Sequence, residues 1–238
     1  MRTAFQHADN EVWQESLEWH PRNFQPYSHQ ARAFQRLSTR SGPGRPTLVT
    51  TGTGSGKTEA FLYPIIDHCL RENRSGRRGV KAVLLYPMNA LATDQVKRIR
   101  KLLEDEPSLS ELGVGLYIGD APARVDEDDA PRRQVLVDRD AIRQDPPDIL
   151  ITNYKMLDLL LQRPSDRPLW STGRLAYVVL DEFHTYDGAQ ASDVAILLRR
   201  LSAASGQDRA KRPLGDICRW QRRPRLGRAP KALGSCVT

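Results

Sequence analysis

The stretch from Thr47 to Thr58 constrains this chain more than any other. An apolar run, Thr47-Leu48-Val49, passes into Thr51-Gly52-Thr53-Gly54-Ser55-Gly56-Lys57-Thr58, and helix-compatible text follows from Glu59 to Arg71. Strand, glycine-rich turn and helix in that order make a phosphate-binding loop. Consecutive backbone N–H groups of such a turn point inward at a polyphosphate, with Thr53, Gly54, Ser55 and Gly56 as the cradle. Lys57 can reach the β and γ oxygens of a nucleotide such as ATP, and the Thr58 hydroxyl can ligate Mg²⁺. The strict pattern has glycine at position 51, where this chain has Thr, so the loop is the looser form that keeps Gly54 and Gly56.

Around the loop, apolar runs of strand length alternate with helical periodicity, which predicts βαβ units and a parallel sheet. The candidate strands are Thr47 to Thr50, Ala82 to Tyr86, Val114 to Ile118, Ile149 to Thr152 and Ala176 to Leu180. Leu91, Val96, Ile99 and Leu103 share one helix face, and Val194, Leu197, Leu198 and Leu201 share another. Pro64 should kink the helix after the loop without ending it. A chain of 238 residues fits one large α/β domain over residues 46–208, preceded by an N-terminal segment, 1–45, of short helices. Residues 119–147 read as a loop, and their acidic cluster Asp126-Glu127-Asp128-Asp129 reads as a solvated charge run.

Several function classes are excluded by what is missing. No apolar stretch approaches the roughly 18 residues of a membrane helix, and the N-terminus has no apolar signal core. Cys69, Cys218 and Cys236 are too few and too scattered for a disulfide framework or a close-spaced zinc site. A cytoplasmic protein is expected. The net charge of +7 is misleading as a sign of nucleic-acid binding: residues 209–238 hold nine Lys/Arg and one acid, a net +8 that leaves −1 on the rest.

The second half of the chemistry lies far downstream. Tyr177-Val178-Val179-Leu180 is a buried-type strand that ends in Asp181-Glu182-Phe183-His184. A parallel sheet places its ligands at the C-terminal ends of its strands. Asp181 there could hold the Mg²⁺ that Thr58 also touches, and Glu182 could take a proton from the water attacking a γ-phosphate. Adjacent strand residues point to opposite sides, so both roles require Glu182 to lie just past the strand, where the chain turns.

The two motifs together resemble motifs I and II of the DEAD/DEAH-box class of superfamily-two helicases, with Phe183 where Ala is usual. Other segments agree in order. Phe24 to Gln30 looks like the upstream glutamine motif, Leu85-Tyr86-Pro87-Met88-Asn89-Ala90-Leu91-Ala92 like motif Ia, and Ile151-Thr152-Asn153-Tyr154 like motif Ib. The wording at 86–91 and 183–190 is most similar to YprA-type, RecQ-related bacterial DNA helicases. The resemblance, over residues 24–205, implies a P-loop NTPase of RecA-like fold, an α/β domain with helices on both faces of a parallel sheet. It implies ATP and Mg²⁺ as cofactors, with Gln30 reading the adenine edge and His184 transmitting nucleotide state. It also implies single-stranded or partly duplex DNA as partner, held through its backbone by Pro87, Asn89, Thr152 and Asn153. Thr152 and Asn153 could equally cap the helix that follows. A restriction-type translocase motor would share these motifs, and a non-catalytic binding module is a third reading.

The family pattern then breaks. A Ser-Ala-Thr motif and a second RecA-like domain with arginine fingers should follow, and neither is legible. Cys218-Arg219-Trp220-Gln221-Arg222-Arg223-Pro224-Arg225 shows no strand or helix periodicity. It reads as a basic arm, as a disordered tail, or as a frameshift. From the third base of the Cys218 codon the same nucleotides permit Pro-Leu-Ala-Thr-Ser-Ala-Thr-Leu-Gly. On the last reading the helicase text stops near Asp216 or Ile217, and the lone first domain should bind ATP but turn it over poorly.

Overall fold

The computed structural model describes residues 7–8, 11–52, 54–119, 135–172, 174–206 and 217–220. Among the described residues seven parallel strands form one sheet: β1 (Thr47–Val49), β2 (Ala82–Leu85), β3 (Val114–Tyr117), β4 (Val135–Leu136), β5 (Ile149–Thr152), β6 (Tyr177–Leu180) and β7 (Ile217–Trp220), in the spatial order β1-β7-β6-β2-β5-β3-β4. The helices are α1 (Ser28–Leu37), α2 (Lys57–Arg74), α3 (Asn89–Asp105), α4 (Arg139–Gln144), α5 (Tyr154–Gln162) and α6 (Gly188–Ala204).

Two cores follow from the period-2 alternation of the strands. Ala82, Leu84 and Tyr86, with Tyr177 and Val179, face α1, α2 and α3. Val83 and Leu85, with Val178 and Leu180, face α5 and α6. Helices therefore cover both faces, as expected of a doubly covered parallel sheet. All five strands expected from the sequence form within a residue of their expected ends. Val96, Ile99 and Leu103 are buried along α3 with Leu91 packed beside them, and all four expected α6 residues are buried. α2 runs through Pro64 to Arg74. The N-terminal aromatics close one end of the first core: Trp13 and Phe24 pack on Phe34, and Trp19 meets Tyr63 edge-on. The buried Asp67 carboxylate fixes that segment by accepting the N–H groups of Glu18 and Trp19 at 2.7 and 2.9 Å.

Two expectations are corrected. Residues 119–147 are not all loop, because β4 and α4 lie within them. The Asp138 carboxylate caps α4 by accepting the Ala141 N–H at 2.8 Å, and Ile142 is buried. The acidic cluster at 126–129 lies outside the described residues. So does most of the basic segment from 209 on, including the text read as a frameshift, except for β7. This strand, expected to have no regular structure, lies between β1 and β6. Both neighbours present a row of backbone donors and acceptors to that slot, and a parallel strand satisfies them whatever its side-chain periodicity.

The sheet's N-terminal edge holds a buried ionic knot. Lys81, fully buried, donates Nζ to Asn73 Oδ1 at 3.0 Å, to the Gly79 carbonyl at 3.2 Å and to Asp148 Oδ1 at 2.5 Å. Asp148 Oδ2 accepts from Asn73 Nδ2 and the Gly113 N–H at 2.9 and 2.8 Å. These bonds tie the starts of β2, β3 and β5 to the end of α2, leaving the opposite edge for chemistry.

Candidate nucleotide and nucleic-acid site

At the C-terminal end of β1 the chain turns through two left-handed glycines, Gly54 at φ +75° and Gly56 at φ +71°, the latter capping α2. Only glycine takes such angles without strain. The loop is braced from within: Ser55, buried, donates Oγ to the Gly52 carbonyl at 2.8 Å and lies 2.6 Å from the Thr51 hydroxyl. Thr51, which departs from the strict pattern, is thus part of the brace. Lys57 lays its ammonium on the loop, donating to the carbonyls of Gly52 and Thr51 at 3.0 and 3.2 Å. Thr53 lies outside the described residues.

Gln30 joins this loop to the N-terminal segment. Its Oε1 accepts the Tyr27 N–H at 2.8 Å and its Nε2 donates to the Gly56 carbonyl at 2.8 Å, in a site only 2 % exposed. Beside it opens a cleft of about 460 Å³ lined by Tyr27, Gln30, Gly56, Lys57, Thr58 and Arg98, among others. The lining combines aromatic rings, Phe24, Tyr27 and Tyr63, with the phosphate loop, the two surfaces that a nucleoside triphosphate needs. Arg98 of α3 forms an ion pair with Glu59 of α2 at its wall. Burial, then the Glu59 carboxylate, push the neighbouring Tyr63 phenol up to about 12, so it stays neutral there.

Across β7, the acidic pair leaves the sheet at the end of β6. Asp181 continues the ladder by donating its N–H to the Leu85 carbonyl at 3.0 Å. Glu182 then turns with φ +47°, a strained angle for a non-glycine residue, as its place past the strand required. The Glu182 N–H donates to Asp181 Oδ1 at 2.8 Å, and His184 Nδ1 lies 3.2 Å from Glu182 Oε2. Burial raises the Asp181 carboxyl above its usual range. The Glu182 N–H works against that shift, the Glu182 charge adds to it, and Lys57 and His184 oppose it. Because β1 and β6 run parallel on either side of β7, Lys57 and Asp181, 124 residues apart in sequence, both lie at the C-terminal edge of the sheet.

The loops after β2 and β5 form the other lip of this edge. Asn89 opens α3, Pro87 is partly covered, and Met88 is 61 % exposed. Asn153 caps α5 by accepting the Met156 N–H at 2.8 Å, and its Nδ2 donates to Asn89 Oδ1 at 2.7 Å. Thr152 differs from the other three: it is fully buried and its hydroxyl donates to the Tyr117 carbonyl at 2.6 Å. It secures β5 to β3 instead of facing outward. The Thr51 brace, the Arg98–Glu59 pair and the buried hydroxyls of Tyr86 and Tyr186 were not foreseen. Nothing in short-range sequence joins Glu59 to Arg98, whereas Tyr86 and Tyr186 lie within the motif text itself.

The family model for the DEAD/DEAH box helicase matches residues 27–213. The chain is 31 % identical over 175 residues to the ATP-dependent helicase hrq1 of Schizosaccharomyces pombe, covering 74 % of this chain and 14 % of that protein. It is 29 % identical over 179 residues to the ATP-dependent helicase YprA of Bacillus subtilis, covering 74 % and 20 %. The crystal structure of the DUF1998 helicase MrfA superposes with a TM-score of 0.60 at 25 % identity, covering 90 % of this chain and 28 % of that one. The chain spans one fifth or less of the two sequence relatives.

Proposed function

We propose that this chain, which belongs to the DEAD/DEAH box helicase family, is the ATP-binding and ATP-hydrolysing first motor domain of a nucleic-acid helicase. The observation that carries the proposal is that Lys57 and Thr58, at the start of α2 after β1, and Asp181 and Glu182, past the end of β6, stand at the same C-terminal edge of the parallel sheet, with β7 between the two strands.

The roles we assign are the following. The N–H groups of the loop and the Lys57 ammonium hold the β and γ phosphates. We assign the base to Tyr27 and Gln30, which line the same cleft. Gln30 has both amide ends bonded to protein, so its first task is to fix the loop, with any adenine contact made from that fixed position. Thr58 and Asp181 offer one hydroxyl and one carboxylate, hard oxygen donors that suit Mg²⁺. Among the described residues no cluster of three or more His, Cys, Asp and Glu stands ready for a metal, which fits an ion whose shell is completed by phosphates and water. The ion, when bound, supplies neutralisation of phosphate charge. Glu182 accepts the proton of the attacking water, with His184 orienting its carboxylate.

Pro87, Asn89 and Asn153 form the lip we assign to the sugar-phosphate backbone of single-stranded or partly duplex DNA, and the Asn89–Asn153 bond fixes their spacing. A second RecA-like domain supplies the arginines that complete the site; such a residue is worth about 10³–10⁵ in rate in phosphate-loop enzymes. No helix among the described residues is long and apolar enough to cross a membrane, and we place the protein in the cytoplasm. The test is ATP hydrolysis with and without single-stranded DNA, beside Glu182→Gln. Turnover that needs Glu182 supports the motor reading; turnover indifferent to Glu182 refutes the role given to it.

A further inference from the structure

Two tyrosine hydroxyls lie buried beside the acidic pair with no hydrogen-bond partner, Tyr86 at 1 % and Tyr186 at 4 % exposure. A buried polar atom left unpaired is costly to keep, and a phenylalanine would fill the same space without that cost. Their placement suggests what they are for.

The pairing of β2 with β6 ends at Leu85 opposite Leu180, and the Asp181 N–H bonds the Leu85 carbonyl. Tyr86 and Asp181 are thus the next cross-strand neighbours, and both fall on the α2–α3 face by the alternation that puts Leu84 and Val179 there. Tyr186 packs in the core of the opposite face, four residues after Glu182 and just past the short 3-10 turn at Phe183–Thr185. The Asp181 charge adds to burial in raising both phenols. Each tyrosine is also joined to the strand-facing lip. Tyr86 runs directly into Pro87, Met88 and Asn89. The Tyr186 ring meets that of Tyr154 edge-on, with centroids 6.2 Å apart, and Tyr154 follows Asn153. Asn153 closes the circuit by bonding Asn89.

Resting on the function proposed above, we propose that Tyr86 and Tyr186 are positioning residues that couple nucleotide at Asp181 to the Asn89–Asn153 lip. Asp181 Oδ1 accepts the Glu182 N–H, and the carboxylate has a second oxygen that can turn toward a tyrosine hydroxyl or toward the Mg²⁺ that would accompany the nucleotide. Which it chooses shifts the two rings, and the rings carry the shift to the two asparagines. Nucleotide and nucleic acid then alter each other's affinity by the same factor, as linkage requires.

The experiment is titration of labelled single-stranded DNA with and without a non-hydrolysable ATP analogue and Mg²⁺, on the full chain and on Tyr86→Phe, Tyr186→Phe and the double variant. The parent should show coupling in the usual range of about 5- to 150-fold, and the double variant should fall to within about twofold of no coupling. The double variant should still bind the analogue, at least as tightly as the parent because the competing hydroxyls are gone, and melt no lower, because a merely structural loss would lower the melting temperature. A double variant with the parent's coupling overturns the inference, as does a parent that binds the analogue with no effect on DNA affinity. A parent that fails to bind the analogue at all, like Lys57→Ala, overturns the functional reading itself.

Discussion

Gln30 donates its side-chain amide to the carbonyl of Gly56 at 2.8 Å, joining the segment before the sheet to the cap of the phosphate-loop helix. The fit leaves no room for a side chain at Gly56. A Cβ there would come within 2.3 Å of Gln30 Nε2, and Gln30 cannot easily yield because its other end holds the Tyr27 N–H. Gly56 also has φ +71°. Gly56→Ala should therefore cost about 1–2 kcal/mol for the left-handed backbone alone and displace Gln30 as well. Thermal melting should show the loss of stability, and titration with a fluorescent ATP analogue should show weakened binding.

The Lys81–Asp148 knot lies at the edge of the sheet away from the nucleotide. Lys81→Met leaves the buried Asp148 carboxylate without its cation, and removing one partner of a buried pair typically costs about 3–5 kcal/mol. Urea denaturation should show this loss. Under conditions where the variant stays folded, its ATP affinity should match the parent's.

His68 is buried against Tyr177 and lies 2.8 Å from the Thr39 hydroxyl. Burial, then Arg71, Lys81 and Arg77, lower its pKa from 6.5 to about 3. The unfolded chain therefore takes up a proton that the folded chain refuses. The stabilisation is complete above pH 6.5 and is lost as pH falls from there toward 3. The slope for one proton is at most about 1.4 kcal/mol per pH unit. Stability measured across that window should decline, and His68→Gln, which cannot titrate, should flatten the decline.

Asn153 has two tasks that can be separated. Asn153→Ala removes the cap of α5, worth about 1 kcal/mol, together with the bond to Asn89. Asn153→Asp keeps an oxygen for the Met156 N–H and so keeps stability, but it loses the donor to Asn89 and sets a negative charge on the lip proposed to hold the DNA backbone. Both should weaken DNA binding, the Asp variant more at low salt than at high. An Asp variant that binds DNA like the parent would remove Asn153 from the lip.

The sequence was most legible where local chemistry and fold agree. Runs such as Val83-Leu84-Leu85 and Tyr177-Val178-Val179-Leu180 are buried on both faces and cannot be mistaken for loop. The phosphate loop and the turn at Glu182 were legible because glycine spacing and strand parity leave few alternatives. Illegible features depend on partners distant in the chain. Lys81 reads as an ordinary surface charge until Asp148 is brought to it, 67 residues later. β7 is set by the slot between β1 and β6 and not by its own pattern. β4 has two residues, too few to show alternation. Thr152 has the residue type of a phosphate ligand, yet its hydroxyl turns inward to Tyr117, an orientation that only the neighbouring strand decides.

Lys57 and the acidic pair are proposed to form one nucleotide site. Binding of a fluorescent ATP analogue by the parent, Lys57→Ala and Glu182→Gln, each checked for folding by its melting curve, tests it most directly. Lys57→Ala should stay folded and lose binding, while Glu182→Gln should bind at least as well as the parent and no longer hydrolyse ATP. A folded Lys57→Ala that binds the analogue with the parent's affinity would contradict the shared site.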